Sequence, residues 1–372
     1  MLTATDQMFG HPNDRSSELS VELVWPSGVR RDASLPLLVY LDLNHWVGLA
    51  KAATGHRDGA RYQTLLEACR TVRQASAALF PLSATHYMEV AKIADARRRA
   101  DLAGILEELS GFHTLLGRSA IVELEFETAL DRLVRPNPSP PKAVDLVGLG
   151  VCHALGRRLN LRVVDLAGGP VGDDVLQHLH TDEFNVVLAK ELLEFERAVL
   201  AGPSDEHAAV SLRQRGWQPD AAMRIAQKRA EEQAAQARRF DAKTRGSRGW
   251  TRDVVAAHET VNELIELLNK GLARRGLSPS DYLAERIRDV IYSMPAMRVS
   301  IELKTVFHRN PQTRWISNTI FDVDAMSVAV PYCDIVITDK AAHQALEQTG
   351  LAHQMNTEVF CRPSELADRL AA

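Results

Sequence analysis

Two short apolar runs each end on an aspartate, and they lie near opposite ends of the chain. Leu37–Leu41 (LLVYL) runs into Asp42, and 335–338 (IVIT) runs into Asp339. A continuous apolar run of this length suits a strand buried on both faces, as in parallel sheets covered by helices. Ligands of such sheets collect outside the carboxyl ends of the strands, which is where both aspartates would stand.

The residues around the first run predict an α/β layout. Residues 20–25 (SVELVW) predict a short edge strand, closed by the turn Pro26-Ser27-Gly28. A helix is expected over 59–77, where Leu65, Cys69 and Val72 recur at helical spacing. A second apolar run, 78–82 (ALFPL), leads to Ser83 at an N-cap position and a helix over 85–99. A helix over 101–116 and a strand over 120–124 (AIVEL) follow.

Asn137-Pro138-Ser139-Pro140-Pro141 breaks this pattern. From there to about residue 298 nearly everything reads helical, with Ser278-Pro279 as cap and first residue for a helix over 281–291. The α/β pattern then returns. Helices are expected over 299–308 and 322–330, then the strand 335–338, a strand over 359–361, and a last helix over 365–371 capped by Ser364. The expected organisation is an N-terminal arm (1–34) and an α/β domain in two parts (35–136 and 299–372), interrupted by an all-helical insertion (137–298).

Composition narrows the function classes. The net charge of −4 argues against holding nucleic acid by bulk charge alone, but leaves room for a local basic patch. Aromatic residues make up 6% of the chain, too few for a large base-stacking platform. No apolar stretch approaches the ~20 residues that span a bilayer, and the first residues lack the pattern of a signal peptide. Cys69, Cys152, Cys333 and Cys361 are far apart and form no CxxC pair, so reduced cysteines and a cytoplasmic location are expected.

Four segments bring carboxylates toward the carboxyl edge of the expected sheet. Asp42 and Asp339 end strands, Glu89 lies in the second turn of the helix after 78–82, and Asp322 and Asp324 begin the helix before 335–338. Crowded carboxylates repel one another unless a cation sits among them. The hard ions Mg²⁺ and Mn²⁺ are the natural partners. Asn44, two residues beyond Asp42, could bind water or phosphate.

LVYLDLNHW, with Asp42 and Asn44, resembles the first acidic motif of PIN-domain nucleases. PLSATHYMEV is similar to the second, with Ser83 opening a helix and Glu89 as the second acid. AIVELEFETAL is similar to the strand and helix start that follow in the family. FDVDAMSVAVPYCDIVITDK resembles the last two motifs, with Asp322 and Asp339 17 residues apart. Spacing favours Asp322 as the third acid, with Asp324 as the alternative; Asp334 has no family counterpart and reads as a loop-capping residue. The resemblance covers about 40–135 and 295–372. It implies a three-layer α/β/α fold with a mainly parallel sheet. It also implies metal-dependent phosphodiester cleavage, of RNA more than DNA, in a domain type that often forms homodimers. The insertion is far larger than in small family members, so substrate choice does not carry over.

Two other functions fit parts of the pattern. A phosphohydrolase would use Asp42 as nucleophile, but Asn44 stands where its second aspartate belongs. An inactive nuclease-like module that binds RNA or protein would be free to lose the acids it retains here.

The insertion has its own signal. Arg224, Lys228, Arg229, Arg238, Arg239, Lys243, Arg245, Arg248 and Arg252 oppose only Glu231, Glu232 and Asp241 within 29 residues. This is either a nucleic-acid-binding stripe or a solvated face of paired charges. Arg213, Arg215 and Trp217 lie just upstream, and Gly246-Ser247-Arg248-Gly249 reads as a turn within the stretch. Gly148-Leu149-Gly150 with Gly156 is a poor dinucleotide loop and predicts helix packing. His178 and His180 with Asp182 could bind a metal but read as a surface loop, and His45 and His86 could touch a phosphate near the acids but read as helix-surface or packing residues.

Overall fold

The central strand is the LLVYL run. In the computed structural model, which describes residues 21–157, 182–240, 246–278 and 284–372, the strands are β1 (Val29–Arg30), β2 (Leu37–Leu41), β3 (Ala78–Leu79), β4 (His113–Leu115), β5 (Val144–Asp145), β6 (Val147–Leu149), β7 (Ile335–Ile337) and β8 (Glu358–Phe360). Four of them form a parallel sheet in the order β3-β2-β7-β8. Successive residues of β2 feed different cores. Leu38 and Tyr40 enter one hydrophobic cluster and Val39 and Leu41 the other, all fully buried. That alternation is the two-sided burial that a continuous apolar run predicts. The protein is thus mixed α/β, with a parallel sheet at its centre.

The first helices are α1 (Leu43–Ala53), α2 (Gln63–Gln74), α3 (Ala84–Ala91), α4 (Ala96–Ser110), α5 (Arg118–Leu133) and α6 (Gly150–Ala154). Then come α7 (Asp182–Ala201), α8 (Glu206–Gln214), α9 (Pro219–Arg239), α10 (Arg248–Glu259), α11 (Ile265–Arg274) and α12 (Ala284–Ser293). The last are α13 (Pro295–Arg309), α14 (Ser317–Tyr332), α15 (Lys340–Thr349), α16 (Leu351–Met355) and α17 (Pro363–Ala371).

Several expected boundaries move, and the stretch 137–298 is not all-helical: β5 and β6 lie in it and pair with β1 and β4, joining its start to the N-terminal arm and the α/β part. The run AIVEL is not a strand but part of α5, where Ile121, Leu124 and Phe126 pack into the core. Five apolar residues cannot separate strand from helix by themselves. The strand at this place is β4, within the stretch expected to be helical to 116. The preceding helix stops at Gly111, whose φ of +56° is a left-handed cap. The expected helix over 85–99 divides, because Asp95 caps a new helix by accepting from the Arg98 N–H at 3.0 Å. Helix α1 had no expectation at all. Residues 21–25 form no strand; Val24 N–H instead donates to the Ser293 carbonyl at 2.8 Å, and β1 pairs with β5. Helix α14 begins at Ser317, so Asp322 lies in its second turn rather than at its start. Arg362, not Ser364, caps the last helix, with Pro363 in its first position. Residues 279–283, including Pro279 and Asp281, lie outside the described residues.

The described residues of the insertion share the two cores flanking the sheet. Val199, Leu200, Trp217, Ala226 and Ala230 join one cluster; Val255, Leu264, Leu268 and Leu272 join the other. Buried ion pairs fasten it as well: fully buried Arg275 meets Glu127 and Asp131 of α5, and Lys304 of α13 meets Glu259. Among the described residues no helix is long and apolar enough to cross a membrane.

Candidate functional site

Asp42 and Asp339 leave adjacent strands at the point where the sheet order reverses. From β2 the chain moves outward to β3, and from β7 it moves the other way to β8. Such a switch point opens a crevice at the carboxyl ends of the two strands. Asp42 N–H donates to the Ile337 carbonyl at 2.9 Å, which ties the two strand ends together. Both aspartates then cap helices. Asp42 accepts from the Leu43 N–H at 2.8 Å, and Asp339 from the Ala342 N–H at 2.8 Å.

Glu89 on α3 and Asp322 on α14 complete a group of four carboxyls that act on one another. Burial is the largest influence on each of three of them. It pushes Asp42 up to about 6, with Asp339 adding to the rise and the Leu43 N–H opposing it. Burial and then Asp42 push Glu89 up to about 7, against the pull of Lys92. Asp322 is raised most, to about 8, by burial and by Asp42, Glu89 and Asp339, again against Lys92. Acids from four distant segments thus share one electrostatic environment. Among the described residues, no group of three or more His, Cys, Asp or Glu side chains is drawn in to the distances that would hold an ion. The four acids interact at longer range, by repulsion.

A buried polar layer fixes the elements that carry them. His86, fully buried, accepts at Nδ1 from the Ser83 N–H (3.0 Å) and donates from Nε2 to the Leu41 carbonyl (2.9 Å). That pattern requires the neutral imidazole, and burial lowers its pKa to about 4. His86 therefore locks the start of α3 to the end of β2, next to Asp42. Its ring stacks on Tyr40, whose hydroxyl shares a 3.0 Å hydrogen bond with Ser83. His45 is the counterpart on α1. Its Nε2 donates to the Thr338 carbonyl (3.2 Å), and its Nδ1 accepts from the Tyr62 hydroxyl (3.2 Å). Both histidines are packing residues, as the sequence predicts.

Other candidates stand elsewhere. Asp324 does not join the acids; it is held by Arg229 through two hydrogen bonds of 2.6 and 2.9 Å and lies 3.5 Å from Arg118. Burial would raise its pKa, but the two guanidinium groups outweigh burial and hold it below the usual range. Two residues on a helix are about 200° apart, which turns Asp324 away from Asp322. It lines instead a cavity of about 310 Å³ with Arg118, Arg229 and Ser83, and none of Asp42, Glu89, Asp322 or Asp339 reaches that cavity.

The basic stretch is likewise split. Arg229 is engaged with Asp324 and with Glu263 at 2.7 Å, whereas Arg248 pairs with Glu302 at 3.1 Å and its side chain stays 41% exposed. Arg224, Lys228, Arg238 and Arg239 are exposed on α9, with Lys228 3.9 Å from Glu232. Lys243 and Arg245 lie outside the described residues, as do His178 and His180. Asn44 is exposed in the first turn of α1. Asp334 accepts from the Leu38 N–H (2.8 Å) and pairs with Arg31 (2.6 Å), a structural clamp between strands. Gly148 lies against His153, and Gly150, with φ +76°, lies against Glu196; both are packing positions.

Lys92 was not among the expected site residues. It is the residue that ends α3, one turn beyond Glu89. The i, i+3 spacing from the second acid was its signal in the sequence. The chain matches no family model, no curated protein and no solved structure.

Proposed function

We propose that the chain is a divalent-metal-dependent nuclease that cleaves phosphodiester bonds within RNA in preference to DNA. We further propose that its α/β part is a three-layer PIN-like domain carrying a largely helical insertion. One observation carries this reading: the Asp322 carboxyl is raised first by burial and then by Asp42, Glu89 and Asp339, acids from three other segments. Buried acids that repel one another at a sheet switch point are costly to maintain without a cationic ligand. The strand order and the hydrophobic clusters on both sheet faces support the layered fold.

All four side chains offer hard oxygen donors, which suit Mg²⁺ or Mn²⁺. Asp42, Glu89, Asp322 and Asp339 would hold the ion. When bound, such an ion activates water for in-line attack on phosphorus and stabilises the leaving oxygen. Asp42 and Asp339 stand at the carboxyl ends of β2 and β7 and are each fixed by a helix-capping bond to one carboxylate oxygen. Glu89 is held by the His86 lock at the root of its helix. Asn44, exposed one residue into α1, can orient water or a phosphate oxygen. The exposed bases Arg224, Lys228, Arg238 and Arg239 would guide the nucleic-acid backbone.

The test is incubation of the purified protein with labelled RNA and DNA in Mg²⁺, Mn²⁺ or chelator, with the cut ends mapped. Metal-dependent cleavage by the native chain and none by Asp42→Asn is the expected result. An equally active Asp42→Asn variant would overturn the assignment.

A further inference from the structure

Lys92 carries a positive charge that acts on both Glu89 and Asp322. Its ammonium donates to Asn318 Oδ1 at 2.6 Å and to Ser317 Oγ at 3.5 Å, both in the first turn of α14. It also lies 4.3 Å from the centre of the Phe321 ring. These close partners are all neutral. A lysine beside two half-buried carboxyls would ordinarily clamp one of them in a charge-assisted hydrogen bond. Here an amide and an aromatic face hold it back from doing so. Two consequences follow. The carboxyl oxygens are not consumed by the ammonium, and the ammonium keeps donor capacity for an anion from outside.

Lys92 acts on Glu89 and Asp322 where α3 packs against α14, so an anion reaching Lys92 also comes close to those two acids. On the nuclease reading that anion is a phosphodiester, which would gain both from the Lys92 ammonium and from a divalent ion held by the acids. We propose that Lys92 is a substrate-binding residue whose ammonium, presented by Asn318 and Phe321, takes a non-bridging oxygen of a nucleic-acid phosphate at the acid cluster. This rests on the nuclease reading and adds to it the residue that anchors substrate beside the reacting centre. It also separates two binding elements: Lys92 acts at the acids, whereas the exposed bases of α9 act along the backbone at a distance.

A purely structural lysine, present only to offset negative charge, would affect stability and metal affinity without touching nucleic acid. The experiment therefore reads binding as well as cleavage. Binding of a labelled single-stranded RNA is measured in the cleavage-disabled Asp42→Asn protein, with Mg²⁺, over a series of salt concentrations. Adding Lys92→Gln should weaken binding about tenfold and reduce the slope of log affinity against log salt by about one. Lys92→Arg should keep most of the affinity, and should replace Lys92→Gln as the comparison with Lys92→Met if the glutamine variant does not fold. In the otherwise native chain, Lys92→Gln should raise KM for RNA.

Unchanged affinity and slope in the Lys92→Gln and Lys92→Met proteins, with the native chain still cutting RNA, would overturn the assignment of Lys92 alone. If the native chain cuts neither RNA nor DNA with Mg²⁺ or Mn²⁺ and the Asp42→Asn protein binds neither, the nuclease reading fails and Lys92 falls with it.

Discussion

Asp322 and Asp324 stand two residues apart on one helix and occupy opposite electrostatic worlds. Asp322 faces three other acids and is pushed up to about 8, whereas Asp324 is gripped by Arg229 and Arg118 and held low. Helix α14 thereby joins the acid cluster on one side to the insertion on the other. Asp322→Asn should abolish metal-dependent cleavage and leave the fold intact. Asp324→Asn should leave two guanidinium groups under-compensated and cost about 3 kcal/mol of stability. Urea denaturation and cleavage assays on the two variants separate these effects; equal behaviour in both assays would contradict the geometry.

The acid cluster sets a pH dependence with a defined sign. Asp42, Glu89 and Asp322 have folded values of about 6, 7 and 8, above their ordinary values of 3.8, 4.5 and 3.8. Between those limits the folded chain holds more protons than the unfolded one, so the cluster's contribution to stability falls as pH rises. In chelator, the melting temperature of the native chain should therefore drop relative to Asp322→Asn between about pH 5 and pH 8. Asp322→Asn should melt about 2–4 °C higher than the native chain at pH 8. Melting curves across this range with no difference in slope would refute the coupling.

Metal binding should follow the same protons in reverse. An ion can enter only as the carboxyls ionise, so binding releases protons and strengthens as pH rises from about 6 to 8. Thermal stabilisation by Mn²⁺ should be several-fold more sensitive at pH 8 than at pH 6, and weaker in Asp42→Asn, which keeps three of the four carboxyls. Stabilisation that is flat with pH would mean that the ion binds elsewhere.

His86 is a lock rather than a reactant. His86→Ala removes the donor to the Leu41 carbonyl and the acceptor for the Ser83 N–H, and opens a cavity beside Tyr40. The expected cost is about 2–4 kcal/mol, with cleavage reduced because Asp42 and Glu89 lose their mutual register. Denaturation midpoints check the first effect, and kcat with saturating metal the second.

The exposed bases of α9 behave differently from the buried one. A triple change of Arg224, Arg238 and Arg239 to Gln should alter stability by no more than about 0.5 kcal/mol, while weakening RNA binding and flattening its salt dependence. Arg229→Gln should do the opposite: it should destabilise the fold and leave the salt slope unchanged. A salt titration of both proteins distinguishes the two classes of arginine.

The local signals in the sequence were enough for β2 and β7 and the aspartates that follow them. Residues 38–41 and 335–337 are apolar at every position because both faces of β2 and β7 are covered there, and that requirement is written in consecutive positions. The spacing of Asp42, Glu89, Asp322 and Asp339 relative to these runs also follows from local order. Short ambiguous stretches did not yield to local reading. AIVEL has the composition of a strand, yet lies in α5 because helical partners further along the same face bury it.

Tertiary structure alone decided which acids meet and which charges are free. Nothing near Asp324 in the chain announces Arg229, 95 residues away, and nothing near Arg229 distinguishes it from the exposed Arg224 on the same helix. Asn318 and Phe321 likewise reach Lys92 only across the packing of α14 on α3. Side-chain type and periodicity are properties of neighbours in sequence. The pairing of charges depends on distance through space and on burial, and both are set only when the helices have packed.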